Sequence, residues 1–353
     1  MPYESDLALR LVPYVAGEQP KNVKLIKLNT NENPYPPSPK VAEAIAAVPA
    51  DALRLYPDMD AAALCAAIAR VNGVSPDMVF CGNGSDEVLA FAFAAFFAGK
   101  RLLAPDVTYS FYPVYADLFG VDYQTVPLTE KFEVDVDGLM QGCPVALANP
   151  NAPTGMLLKS AEVQKLAAHT RQNGAVLLVD EAYAAFSPEN ALPLLADFDN
   201  VLITRTFSKS HALAGMRIGY AIGSPRLISA LKRIRDSFNS YPLDRIAQAA
   251  GEAAILDTDY TAKTVRLVCE ARDRCRAFLI AAGIPCLKSA TNFLFVKADP
   301  ADAAPVQQRL REEGILVRHF KADRLKAWLR VTVGTTQDME IVTEKLLQYC
   351  KPE

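Results

Sequence analysis

Lys209 lies within Thr204-Arg205-Thr206-Phe207-Ser208-Lys209-Ser210-His211, among small hydroxyls, with Arg217 eight residues on and Asp180-Glu181-Ala182-Tyr183 upstream. A lysine amine forms a Schiff base with an aldehyde only if it can shed its proton near neutral pH, which takes desolvation or a cationic neighbour. Pyridoxal 5′-phosphate is the aldehyde that suits these residues. Its phosphate would find Ser208, Thr206 and Arg217, and its ring nitrogen a buried carboxylate such as Asp180. A lone Ser-Lys pair far more often belongs to an exposed polar loop, so Lys209 gains weight only from the residues around it.

Asp180 ends the most apolar strand-like run in the chain, Ala175-Val176-Leu177-Leu178-Val179. An unpaired carboxylate there would be costly, so a buried cationic partner is expected. A structural aspartate paired with a helix start or an arginine is the alternative. Tyr183 could reach the same ligand, or serve only core packing. Gly82-Asn83-Gly84-Ser85-Asp86-Glu87 follows the strand-like Met78-Val79-Phe80 and opens a helix. Free amides at such a start bind phosphate and glycines let the backbone approach, although caps and turns share this composition and the full dinucleotide fingerprint is missing. Asn149-Pro150-Asn151-Ala152-Pro153-Thr154-Gly155 sets an irregular turn after a strand, and either X-Pro bond in it could be cis.

From about residue 60 to 240, helical periodicity alternates with short apolar runs that end in turn residues, which predicts a mostly parallel sheet in an α/β fold. Ala61 to Val71 reads as a helix closed by Asn72-Gly73, and Ser85 or Asp86 as the cap of the next one. Leu102–Ala104, Val145–Leu147, Ala175–Val179 and Val201–Ile203 are wholly apolar strands, as expected where helices cover both faces of a sheet. Ser160 to Gln172 is a helix between them. Ligands collect at the carboxyl ends of such strands, where Asn149, Asp180 and Thr204 to Lys209 all fall. After Arg226 come helices over Leu227–Ser237 and Arg245–Ile255, then a long connecting helix over Tyr260–Ala282. An α+β unit follows, with strands at Phe293–Val296, Ile315–Val317 and Trp328–Val333 and helices at Pro305–Glu313 and Asp338–Tyr349. The first 40 residues are proline-rich and read as an extended arm. The division expected is an arm at 1–40 joining the smaller unit, a large cofactor-binding unit at 41–240 and a small unit at 241–353.

The chain has 353 residues, 51% of them hydrophobic, enough to bury more than one ordinary core. A net charge of −3 draws the molecule neither to nucleic acid nor to an anionic membrane surface, so small-molecule chemistry is favoured. Seven cysteines with no C-x-x-C pair suggest neither a disulfide framework nor a zinc site, and point to a reducing cytoplasm. No metal is expected. The N-terminal residues lack a basic segment followed by an apolar one, so no cleaved signal is expected. The longest apolar run, Val88 to Ala98, falls far short of the roughly 20 residues that span a bilayer.

Eight segments together resemble one family. NENPYPP (31–37), RLYPD (54–58), GNGSDE (82–87), APDVTYSFY (104–112), NPNAPTG (149–155), VDEAYAAF (179–186), TFSKSHALAGMRIGY (206–220) and LRVTVGT (329–335) are similar to motifs of the fold-type I pyridoxal-phosphate-dependent aminotransferases, and within them of the histidinol-phosphate aminotransferases of histidine biosynthesis. The resemblance implies a seven-stranded large unit and a homodimer. It implies that Lys209 carries the cofactor and moves a proton between the substrate α-carbon and the cofactor, while Asp180 keeps the ring nitrogen protonated. Tyr183 would bond the ring's phenolic oxygen and Tyr109 would stack on the ring. Gly84, Ser85, Asp86, Thr206, Ser208 and Arg217 would form the phosphate cup, with Tyr56 reaching in from the partner subunit. Arg330 and Arg318 would receive the substrate's phosphate or, in glutamate and 2-oxoglutarate, its carboxylate. Tyr14, in Val12-Pro13-Tyr14, would help close over the substrate phosphate. One position departs from the pattern: the family usually has asparagine before Pro-Thr-Gly, here Ala152, and Asn151 or a water would have to replace it at the phenolic oxygen. A threonine-phosphate decarboxylase and an aromatic amino-acid aminotransferase share most of these motifs and stay open at this point. A silent cofactor-binding module would have a spoiled arginine pair, and a nucleotide-dependent oxidoreductase would leave Lys209 and Asp180 without a role.

Overall fold

The structure is a computed structural model that describes residues 3–13, 17–19 and 25–350. In chain order its strands are β1 (Ile26–Leu28), β2 (Val79–Asn83), β3 (Arg101–Pro105), β4 (Asp122–Val126), β5 (Val145–Ala148), β6 (Leu177–Asp180), β7 (Val201–Thr206), β8 (Ile218–Gly223), β9 (Phe293–Lys297), β10 (Ile315–His319) and β11 (Trp328–Thr332). A seven-stranded sheet has the order β2-β8-β7-β6-β5-β3-β4. It is parallel except at β8, which runs against both β7 and β2.

Both faces of this sheet are covered. Leu102, Ala104, Leu178 and Leu202 pack on one side with Phe93, Phe97, Tyr112 and Leu231. Leu103, Leu147, Leu177, Val179 and Ile203 pack on the other with Val163 and Leu166 of the Ser160–Gln172 helix. Alternate residues of one strand therefore serve opposite cores, which is why these strands read as unbroken apolar runs. Each such aliphatic side chain contributes roughly 1.5–3 kcal/mol when removed from water. Strands β4 and β8 escaped the sequence reading because β4 is a largely exposed edge and β8 contains two glycines.

The smaller sheet has the order β1-β10-β11-β9. The arm was expected to be merely extended, yet three of its residues pair in parallel with β10. The Thr258–Ala281 and Thr336–Tyr349 helices cover this sheet through Val268, Leu279, Val342 and Leu346. Ala152, Tyr183 and Phe186, from loops at the edge of the large sheet, belong to the same cluster, so the two sheets meet where those loops lie. The Arg245–Leu256 helix packs instead on the Ala62–Asn72 helix and on β2 and β8.

Local capping differs from expectation in two places. Neither Ser85 nor Asp86 caps the Gly84–Ala92 helix, because Gly84, at φ +81°, turns strand β2 directly into the helix and puts both in its first turn. The terminal helix starts at Thr336 rather than Asp338, because Thr335 and Asp338 form a reciprocal capping box.

Candidate active site

Antiparallel β8 has a topological consequence at the carboxyl edge of the large sheet. Its first residues lie beside the ends of β2 and β7, with Asn83 opposite Ile218 and Thr206 opposite Gly219. Arg217 therefore meets both Ser208, nine residues before it, and Gly84, which is far away in the chain. The fit is tight: a Cβ on Gly84 would lie 2.4 Å from Arg217 Nη2, and one on Gly219 would lie 2.2 Å from the Ser85 amide nitrogen. Arg217 itself holds a left-handed backbone, φ +51°. Its Nη2 pairs with Asp86 at 3.0 Å and its Nη1 donates to Ser208 Oγ at 3.4 Å. The Asp86 carboxylate also accepts the Tyr109 hydroxyl at 2.7 Å. Ser85, Asp86, Tyr109, Asp180, Tyr183, Thr206, Ser208, Lys209 and Arg217 all line one cavity of about 240 Å³, with Gly84 buried behind it.

Asp180 ends β6 between Ala148 of β5 and Thr204 of β7. It is 5% exposed and accepts from Tyr112 Oη at 3.1 Å, the Ala182 amide at 3.2 Å and Thr204 Oγ1 at 3.5 Å. The buried cation expected from the sequence is not among its described partners, which are all neutral. Burial consequently dominates and pushes the carboxyl up to about 6, against the three donors. A cation brought by a ligand would reverse that balance.

Lys209 donates from Nζ to the Thr30 carbonyl at 3.1 Å and lies 5.9 Å from the centre of the Tyr183 ring. Burial, reinforced by the Arg330 charge, lowers its pKa to about 8. The Tyr183 hydroxyl accepts from Asn31 Nδ2 at 2.8 Å, and its ring packs edge-on against Phe293 at 5.1 Å.

Arg318 and Arg330 are direct partners in the β10–β11 register. Both line a second cavity, about 640 Å³, which shares Tyr109 and Ala152 with the first. Both guanidinium groups lie over Phe320, at 5.9 and 5.8 Å, which holds two like charges side by side. Arg330 also stacks over Phe293 at 5.4 Å and donates to the Asn29 carbonyl at 3.0 Å.

Tyr14 lies outside the described residues. Tyr56, though expected at the site, lines neither of these cavities. It is 78% exposed and stacks on Tyr241 at 4.7 Å. Ala152 is buried in the wall of both cavities, and Asn151 cannot take over its missing amide. The Asn151 Nδ2 donates to the Val107 carbonyl and Thr154 Oγ1, while its Oδ1 accepts from Thr108. Sequence reasoning missed Tyr112, Thr30, Glu32 and Asn31, and placed Thr204 at the strand end without its bond to Asp180. Tyr112 and Asn31 sit in quoted motifs, but nothing in their spacing shows that they bond to Asp180 and Tyr183.

The model of the family "Aminotransferase class I and II" matches residues 23–346. The chain is 50% identical over 344 residues to the histidinol-phosphate aminotransferase of Acetobacter pasteurianus, covering 97% of this chain and 96% of that one. It is 48% identical, over the same shares, to that of Gluconacetobacter diazotrophicus. A crystal structure of histidinol-phosphate aminotransferase from Sinorhizobium meliloti in complex with pyridoxal-5′-phosphate superposes with a TM-score of 0.87 at 28% identity, covering 99% of this chain and 98% of that one.

Proposed function

Since this chain belongs to the class I and II aminotransferases, we propose that it transfers the amino group of L-histidinol phosphate to 2-oxoglutarate, giving imidazole-acetol phosphate and L-glutamate, a step of histidine biosynthesis. The observation that carries the reading is adjacency: Tyr109 and Ala152 line both the cavity holding Lys209 and Asp180 and the cavity holding Arg318 and Arg330.

Pyridoxal 5′-phosphate fits the residues present. Asp180 is buried among neutral donors and lacks the cation that a protonated ring nitrogen supplies. Gly84 and Gly219 leave backbone clearance where a Cβ would collide with Arg217 and Ser85. Ser208, Thr206, Arg217 and the first amides of the Gly84–Ala92 helix would hold the phosphate. The Asp86 side chain, bonded to Arg217 and Tyr109, would orient those two and leave only its amide for the phosphate. Tyr109 would cover the ring face and Tyr183 would bond the phenolic oxygen.

When bound, the cofactor supplies an aldehyde carbon for Lys209 and a ring that stores the electron pair released from the substrate α-carbon. Lys209 Nζ, its basicity lowered to about 8, can accept the α-carbon proton and return it near neutral pH. Asp180 holds its proton partner in place through charge. Arg318 and Arg330 bind the substrate anion by forked hydrogen bonds that suit phosphate and carboxylate alike, so donor and acceptor use one pocket in turn.

The molecule would work as a homodimer in the cytoplasm, with Tyr56, exposed on the monomer, completing the partner's phosphate cup. Tyr14 would close over the substrate phosphate. We place the arm at 1–40. The large and small units, divided near 240 in the sequence reading, pass into each other along the Thr258–Ala281 helix, since the Arg245–Leu256 helix rests on the large core. No described helix is long and apolar enough to cross a membrane, and no cluster of metal-ligating side chains occurs among the described residues. Purified protein mixed with histidinol phosphate and 2-oxoglutarate should form glutamate. Carbon dioxide released from threonine phosphate, with no glutamate formed, would identify a decarboxylase instead.

A further inference from the structure

Asn31 is 2% exposed and holds a left-handed backbone, φ +57°, a conformation asparagine tolerates better than most residues. All of its polar atoms are engaged. Its N–H donates to Thr332 Oγ1 at 3.0 Å and its carbonyl accepts from Asn292 Nδ2 at 3.0 Å. Its Oδ1 accepts the Thr332 hydroxyl at 3.0 Å, and its Nδ2 donates to the Tyr183 phenol oxygen at 2.8 Å. Turned over, the amide would take away the acceptor of the Thr332 proton in a site only 2% exposed. Thr332 thus sets which end of the Asn31 amide faces Tyr183. In that bond the phenol is the acceptor, so Asn31 consumes none of its capacity to donate.

The loop opposite offers nothing equivalent. Pro150 and Ala152 line the Lys209 cavity without a side-chain donor, and the Asn151 amide is spent on Val107 and Thr154. We infer that Asn31 is a positioning residue: locked by Thr332, it holds the Tyr183 hydroxyl as a donor to the phenolic oxygen of bound pyridoxal phosphate, and thereby tunes the cofactor's proton affinity from the N-terminal arm. This rests on the cofactor reading proposed above. The same stretch of arm touches Arg330 through the Asn29 carbonyl and Lys209 through the Thr30 carbonyl, so three consecutive residues address the anion site, the amine and the phenol.

The isosteric change Asn31→Asp separates positioning from mere packing. Aspartate also tolerates a left-handed backbone and keeps the oxygen that faces Thr332, but it presents Tyr183 with an acceptor, which draws the phenol proton away from the cofactor. Lys209, Asp180, Glu32, Asp86 and Arg217 line the cavity with Tyr183, and Arg330 reaches it through Phe293; none of them is altered. Wild type, Asn31→Asp, Tyr183→Phe and the double variant are loaded with pyridoxal phosphate, and the pH midpoint of the visible absorbance change is recorded for each. Losing a donor strengthens the bond between the phenolic oxygen and the protonated Lys209 nitrogen, so the midpoint rises. We expect Asn31→Asp to raise it by about one pH unit, a tenfold change in proton affinity, and to add far less in the Tyr183→Phe background.

Equal shifts in the two backgrounds would mean that only the new charge acts, and would overturn the inference, as would an unmoved midpoint. If Asn31→Asp fails to fold, Asn31→Gly suits the same backbone without adding charge. It should raise the midpoint with Tyr183 intact and leave it unmoved alongside Tyr183→Phe. A wild-type protein that gains no visible band with pyridoxal phosphate would overturn the cofactor reading itself, an outcome distinct from a normal band that ignores Asn31.

Discussion

Replacing Asp180 by asparagine preserves the shape of the side chain and removes its charge, and in the cofactor-free protein the two effects separate by pH. Burial raises the carboxyl from 3.8 to about 6. Two units correspond to about 3 kcal/mol at roughly 1.4 kcal/mol per unit. Because the folded value lies above the unfolded one, the contribution to stability is complete below about pH 3.8 and is lost as pH rises through about 6. The wild type is therefore progressively handicapped relative to Asp180→Asn. Between pH 5 and 8 the gap in the variant's favour should widen by about 1.4 kcal/mol, or about 2 °C in Tm for a chain of this length. Bonds from Tyr112, Ala182 and Thr204 that asparagine cannot fully keep add an offset that does not change with pH and so drops out. The assay is thermal unfolding of the two cofactor-free proteins at matched concentration across this range, so that any self-association affects both alike. With cofactor bound, the trend should reverse and turnover of the variant should fall by orders of magnitude. A gap that stays flat or narrows from pH 5 to 8 would refute the claim that burial controls this carboxylate.

Lys209 should react with added pyridoxal phosphate at a rate that climbs with pH to a midpoint of about 8, since burial and then Arg330 favour the neutral amine; stopped-flow absorbance giving a midpoint near the ordinary lysine value of 10.5 would contradict this. Arg330→Ala should raise KM for histidinol phosphate and for glutamate together, because one cation reads both anions. Steady-state kinetics in which only one substrate suffers would rule out the shared pocket.

Wholly apolar strands, the Ser160–Gln172 helix and the motif residues at strand ends were legible in one dimension because their signals are local: periodicity, glycine and proline punctuation, and residue types with few alternative uses. The two edge-type failures have physical causes. Strand β4 is mostly exposed, and β1 draws its partner from β10, almost three hundred residues away. A three-residue strand carries no periodicity of its own, so only its partner makes it one.

Lys209, Asp180, Arg217 and the glycine turn were therefore singled out as candidates by residue type, order and family resemblance. What tertiary structure decided was their company. The reversed direction of β8 brings Arg217 to Gly84, the neutral donors bonded to Asp180 leave its charge for a ligand to satisfy, and the arm brings Asn29, Thr30 and Asn31 to Arg330, Lys209 and Tyr183. Hydrogen bonds and desolvation act over a few ångströms of space, whereas sequence separation measures only the length of chain between residues.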